Sequence, residues 1–201
     1  MGILDALLGR KHPPLIGLDI SSSSVKLVEL GRQASGEYVV ERVGSEPFEK
    51  GWIVDGQIEK FDEVADAVKR VLAKSGSKTR NVAMAMPQSS VITKKIIVPS
   101  GQKEEDLELT VEAEANQYIP FSLDEVSLDF CVIGPSATSI GDVEVLIAAS
   151  RKEKVEDRVA VAEAAGLKPR VMDIESYAMQ QAFELISPTL PASGRDQNIA
   201  L

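Results

Sequence analysis

The stretch from residue 15 to residue 30 constrains this chain more than any other. Two apolar runs, one holding Ile16, Leu18 and Ile20 and one holding Val25, Leu27 and Leu30, flank four consecutive serines, Ser21 to Ser24. Apolar run, small polar residues, apolar run is the pattern of a strand, a tight turn and a second strand. Asp19 stands just before the turn, inside a run that is otherwise apolar. Burying a carboxylate beside Leu18 and Ile20 is costly unless a metal, a water or a donor satisfies it. Lys26 stands just after the turn, and between the two charges lie hydroxyls and backbone N–H groups, the material of an anion-binding nest. Two readings are open at this point: a surface hairpin with a solvated lysine, or a phosphate-binding turn that is poorer in glycine than most.

The composition narrows the choice. With 201 residues the chain has ample material for a buried core, in one large domain or two small ones. A net charge of −9 leaves no surplus of cations for nucleic-acid phosphates, and at 4% aromatic residues there is little to stack on bases. A nucleic-acid partner is therefore not expected. The single Cys131 cannot close an internal disulfide and the single His12 cannot build a metal cluster, which fits a reducing cytoplasm. No apolar run reaches the roughly 20 residues of a membrane-spanning helix. The leader, residues 1–12, has Ile3, Leu4, Leu7 and Leu8 at helical spacing but no basic start and no long apolar core, so it is not a signal peptide. It reads as a disordered or core-docked leader, or as a short amphipathic turn that touches a membrane or a partner.

Further along, Tyr38 to Val43 reads as a third strand and a loop follows with Pro47, Gly51 and the single Trp52. Asp62 is placed to cap a helix whose stripe is Val64, Val68, Val71 and Leu72 and whose stop is Gly76. Val82 to Met86 is strand-like. Three strands, a helix and a strand is the order of a ribonuclease-H-like unit. From Ser89 the pattern changes: a strand at 91–98, a helix opened by Glu104, Glu105 and Asp106 and ended by Pro120, then strands at 126–133 and 143–150. Strand–helix–strand–strand makes a small sheet with one covering helix, a module inserted into the first domain. A helix at 153–165, a strand at 170–174 and a helix from Ser176 to before Pro188 complete the alternation. Residues 187–197 read as a connector, and 198–201 as the start of another strand, which implies a piece of a longer polypeptide.

In this context Gly17 to Lys26 resembles the first phosphate hairpin of the actin-like ATPase superfamily. Residues 17–30, the run Glu114-Ala115-Asn116-Gln117-Tyr118-Ile119-Pro120-Phe121 and the run Asp173-Ile174-Glu175-Ser176-Tyr177-Ala178 are similar, more narrowly, to the PilM family of type IV pilus assembly, relatives of the FtsA family. The resemblance implies an α/β chain of actin-like (ribonuclease-H-like) fold, with an inserted SHS2-like α+β subdomain and the second actin-like domain largely missing. It divides the chain into a leader at 1–12, an actin-like subdomain at 13–87 and 154–197, the inserted subdomain at 88–153, and the start of a second domain at 198–201.

The same resemblance implies ATP and Mg²⁺ as cofactors. Asp19 would face the nucleotide-bound magnesium, Ser21, Ser22, Ser23 and Ser24 would cradle the terminal phosphates, Lys26 would reach them, and Glu175 would lie near the attacking water. Hard oxygen ligands suit Mg²⁺, and N–H nests with an ammonium suit phosphate. Ser21 departs from the glycine that many superfamily members carry there, although its hydroxyl can donate to phosphate. With the second half of the clamp absent, the chain is expected to bind ATP weakly. The implied role is a cytoplasmic scaffold that docks the N-terminal peptide of the inner-membrane protein PilN and works beside other inner-membrane pilus proteins, touching the membrane only through its partner. Tyr118, Ile119, Pro120 and Phe121 are candidate groove residues, or alternatively pack the module's own core. Two other readings are an actin-like phosphotransferase of the sugar or acetate kinase type, which needs a substrate pocket with its own base, and an FtsA-type cell-division protein.

Overall fold

The computed structural model describes residues 14–190. The leader, most of the connector and the strand expected at Asn198 lie outside the described residues. The first element, β1 (Ile16–Ile20), pairs antiparallel with β2 (Ser24–Arg32), and β2 pairs antiparallel with β3 (Tyr38–Pro47) through a register shift at Glu29 and Leu30. A two-stranded ribbon follows, β4 (Ile53–Val54) with β5 (Gln57–Ile58), then α1 (Phe61–Ser75) and β6 (Asn81–Met86), which pairs parallel with β1. Next come β7 (Val91–Pro99), α2 (Glu104–Tyr118), β8 (Val126–Pro135), β9 (Asp142–Arg151), α3 (Lys152–Ala164), β10 (Lys168–Ile174) and α4 (Glu175–Ile186).

Two compact units divide the chain. The first takes the described residues up to Ala85 together with Val159–Asp173, and the second takes Met86–Arg158 together with the residues from Ile174 on. The first unit holds a five-stranded sheet in the order β10-β6-β1-β2-β3. Its core is built by alternation: Ile16, Leu18, Ile20, Val25, Leu27 and Val82 are buried from the strands. The stripe Val64, Val68, Val71 and Leu72 of α1 packs into the same cluster, as do Val161 and Ala162. Each such buried side chain contributes about 1.5–3 kcal/mol. The second unit holds a three-stranded sheet, β7-β9-β8, over which Val111 and Ala115 of α2 bury against Ile96, Val98, Val145 and Ile147.

Three details differ from the expectations. Asp62 is not the cap of α1: the helix begins at Phe61, Lys60 precedes it without a side-chain cap, and Asp62 lies in the first turn. There its charge complements the positive end of the helix dipole. Gly76 does end that helix, in the left-handed conformation at φ 65°. The loop after Pro47 contains the β4–β5 ribbon, whose turn has Asp55 at φ 50° and Gly56 at φ 78°. Two positive φ values are what a type I′ turn requires, and Asp-Gly is its ordinary sequence. Finally, β3 runs four residues past Val43, pairing with β2 as far as Ser24 opposite Pro47, and on this extension Glu46 meets Arg70 Nε at 2.8 Å and Lys74 Nζ at 2.5 Å.

Candidate functional site

Strand alternation decides the environment of Asp19. Leu18 and Ile20 point into the core at 3% and 2% exposure, so Asp19 between them points the other way. Its side chain is 43% exposed, and burial is not the problem the apolar run implied. Asp19 and Lys26 stand opposite one another in the β1–β2 register, and Lys26 Nζ donates to Asp19 Oδ2 at 3.0 Å. The turn between them is held from inside. Ser21 donates both its backbone N–H and its Oγ to the Ser24 carbonyl, each at 3.0 Å, and the N–H of Phe48 donates to the Ser23 carbonyl at 2.8 Å.

These bonds sort the four serines. Ser21 directs both its backbone N–H and its hydroxyl to the turn itself. Ser24 begins β2 and supplies the accepting carbonyl. Ser22 and Ser23 are exposed, and their N–H groups have no partner among the described residues. The site is thus a rigid turn offering two neutral donors, beside one carboxylate and one ammonium that currently satisfy each other.

Among the described residues no group of three or more His, Cys, Asp or Glu could hold a metal ion. A single carboxylate with a free Oδ1 still fits magnesium, which keeps most of its waters and needs only one or two carboxylates beside phosphate oxygens. Zinc, which wants several nitrogen or sulfur ligands, does not fit. Glu175 is the first residue of α4 and belongs to the second unit, where its neighbour Ser176 donates to Gln88 Oε1 at 2.6 Å.

The second candidate patch lies wholly in the second unit. Ile119 is buried at 6% exposure and belongs to that unit's core. Tyr118, Pro120 and Phe121 are exposed. Lys94 Nζ lies 4.5 Å from the Tyr118 ring centroid, and the Arg151 guanidinium 5.6 Å from that of Phe121. Beside Phe121 opens a cavity of about 140 Å³, floored by Ile92, Val126 and Ala149 and edged by Ser90, Arg151 and Lys154. Sequence reasoning found Phe121 alone. Apart from Val126, five positions on, the other residues lie about thirty positions away on either side and meet because β7 and β8 both pair with β9. No local pattern marks that convergence.

A family model described as type IV pilus assembly protein PilM matches residues 17–201. A solved PilM-PilN type IV pilus biogenesis complex is similar at 30% identity and a TM-score of 0.77, over 88% of this chain and 52% of that one. The chain therefore spans about half the length of that relative. The cytoplasmic domain of EpsL, an inner-membrane component of the type II secretion system of Vibrio cholerae, is similar at 12% identity and a TM-score of 0.50, over 80% of this chain and 57% of that one. At that identity the likeness shows the fold alone, which is the expected actin-like α/β architecture. No helix among the described residues is long and apolar enough to cross a membrane. Neither the phosphotransferase nor the cell-division reading is favoured by these likenesses. The hairpin at 17–30, the run at 114–121 and the run at 173–178 all fall inside the matched span, and the chain belongs to the type IV pilus assembly protein PilM family.

Proposed function

We propose that this chain is the nucleotide-holding and peptide-docking part of a cytoplasmic scaffold for pilus biogenesis, and that its partner is the N-terminal cytoplasmic peptide of PilN. The observation that carries the reading is the 30% identity, over 88% of this chain, to the complex solved as PilM-PilN. The scaffold would meet the inner membrane and other pilus assembly proteins there through that partner.

The docking surface in this reading is the exposed trio Tyr118, Pro120 and Phe121, with the small apolar cavity beside Phe121 as the socket for one peptide side chain. Aromatic rings backed by cations are common binding anchors, because they bury large areas and lose little conformational entropy. Ile119 acts from below, by fixing the end of α2. The test is a titration of a fluorescent PilN N-terminal peptide into the chain. Phe121→Ala and Tyr118→Ala should each weaken binding about tenfold or more, a usual range for an anchor residue. Folded variants that bind as tightly as wild type would exclude this patch.

The hairpin is the phosphate turn of the same scaffold. Ser22 and Ser23 would give their free N–H groups to phosphate, Ser24 and Ser21 would hold the turn, Lys26 would meet phosphate charge and Asp19 would face the water shell of Mg²⁺. When bound, the metal supplies charge neutralisation of the polyphosphate. The hairpin's donors are exposed and few, so Mg-ATP should bind to the 201-residue chain only weakly. Micromolar affinity in a calorimetric titration would contradict that. Glu175 is proposed to bear on hydrolysis, and a Glu175→Gln variant that releases phosphate from ATP at the unaltered rate would remove it from that role. The inserted subdomain would run from residue 88 to residue 153.

A further inference from the structure

We infer that residues 2–9 of the leader dock as a short helix on the outer face of the first unit's sheet. Strand register defines that face. Ile16, Leu18, Val25 and Leu27 point into the core, so the residues alternating with them point outward. Val28 stands opposite Val43 and Leu30 opposite Val40, and all four are 37% to 64% exposed. One further step of the β1–β2 register sets half-buried Leu15 level with Leu30, and Gly17, opposite Val28, adds no side chain of its own. At one end the Arg32 guanidinium lies 5.6 Å from the Tyr38 ring centroid, and at the other the Asp19–Lys26 pair closes the apolar zone. Single exposed apolar residues need no explanation, but a contiguous apolar surface across three strands marks a contact.

The leader matches that face in pattern, length and point of attachment. Ile3, Leu4, Leu7 and Leu8 fall on one side of a helix. Eight helical residues span about 12 Å, and the four strand steps from Val28 to Arg32 cover about 13 Å. A helix this short does not hold in water by itself and forms when its apolar stripe is buried. The register of β1 brings Pro14 level with Gly31, at the Tyr38 end of the face. Residues 10–14 reach about 17 Å when extended, more than the roughly 10 Å diameter of a helix laid back over the sheet, and Pro13 and Pro14 keep this stretch from continuing the helix. The Glu41 side chain lies over Gly31 and has no ion-pair partner among the described residues, so a carboxylate waits where Arg10 and Lys11 would pass. A short tether also gives the leader an effective concentration of about a millimolar, which a second copy of the chain at micromolar concentration does not match. The docked helix stops short of Asp19 and Lys26 and leaves the serine turn open.

The test is disulfide trapping in the full chain carrying Cys131→Ser, so that only introduced thiols react. Leu7→Cys is combined in one protein with Val40→Cys and in a control with Lys69→Cys, a half-exposed position on α1, the helix that packs against the opposite, buried face of the sheet. A second test pair, Leu4→Cys with Val28→Cys, covers a different seating of the helix along the same face. All these strand and helix positions are exposed, and circular dichroism checks that each variant folds. Mild oxidation at micromolar protein, then proteolysis and mass spectrometry, measures the rate of each intrachain link. At least one test pair should link about tenfold faster or more than the control, the advantage of a docked over a freely colliding tether. Leu8→Asp, added to the faster pair, should remove that advantage while the first unit stays folded. Equal rates for both test pairs and the control would overturn the inference. Links formed only between two chains would overturn it as well, by giving the face to a second copy, and so would an advantage that survives Leu8→Asp.

Discussion

Gly44 offers the sharpest test of how the hairpin is supported. It sits on β3 opposite Leu27, where α1 crosses closely behind the sheet. A Cβ built on Gly44 would lie 2.8 Å from Val71 Cγ2, 3.3 Å from the Val71 carbonyl oxygen and 3.6 Å from Ser75 Cβ. Two carbons rest at about 3.5–4.0 Å, so Gly44→Ala forces the helix and strand apart by several tenths of an ångström. Overpacking of this kind costs about 1–3 kcal/mol. The substitution also restricts the unfolded chain, which offsets about 0.4–1 kcal/mol. The net expectation is a loss of about 1–2 kcal/mol, since the obstacle is a side chain fully buried at 0% exposure and not a flexible tip. Val71→Ala removes the offending methyl and leaves a small cavity of its own, with a loss of about 1–2 kcal/mol. The double variant should lose less than the sum by about 1 kcal/mol, because the new methyl fills part of the space vacated; rescue stays partial because the Val71 carbonyl remains. Urea unfolding followed by Trp52 fluorescence is the right assay. Trp52 is the chain's single tryptophan and packs against the first unit's core, so it reports that unit even where the two units unfold separately. Gly44→Ala should lower the midpoint by about 0.5–1 M. A midpoint equal to wild type, or a double variant weaker than the sum of the singles, would refute the close-approach argument.

Other consequences are as direct. The hydrogen bond from Lys74, followed by that from Arg70, holds the Glu46 carboxyl below the usual glutamate range. A depressed carboxylate contributes stability that is complete above its unfolded pKa, near 4.3, and is lost as pH falls through the lower folded value. The melting-point gap between wild type and Glu46→Gln should therefore be full well above the unfolded pKa and shrink as pH falls below it through the lower folded value; a gap constant across that fall would show that the ion pairs contribute nothing. Gly76→Ala places a side chain at φ 65° after α1 and should cost about 1 kcal/mol, read from the same Trp52 transition, whereas an unchanged transition would mean the helix end relaxes freely. Under the proposed docking, Arg151→Ala should leave the second unit folded and weaken PilN-peptide binding less than Phe121→Ala does, since the guanidinium backs the ring while the ring forms a wall of the socket.

Much of the architecture was legible because its signals are local. Period-two alternation located β1 and β2, and a 3.6-residue stripe located α1. Gly76 and Gly166 ended helices at positive φ, as their lack of a Cβ allows. The β4–β5 ribbon is not legible in the sequence although Asp55-Gly56 is a hairpin signal, because strands of two residues are too short to show any period. The start of α1 lies two residues before the one expected, since Asp62 favours both a cap and a first turn and the sequence alone cannot separate them.

The candidate site divides in the same way. Asp19, the serines and Lys26 were identifiable from one continuous segment, because a turn brings its own flanks together whatever the rest of the chain does. Their working state was not. That Asp19 faces outward follows from which side of β1 the core occupies, that Ser21 is spent inside the turn follows from the closing bond to Ser24, and that Ile119 is buried while Phe121 is not follows from how α2 settles on its sheet. The socket beside Phe121 joins β7, β8 and β9 across sixty residues. Sequence alone determined which residues could carry charge and phosphate chemistry, since that depends on residue type and short spacing. Tertiary structure decided which of them are free to do so, because burial and hydrogen-bond partnership depend on strand register and sheet order, and no short stretch of chain encodes either one.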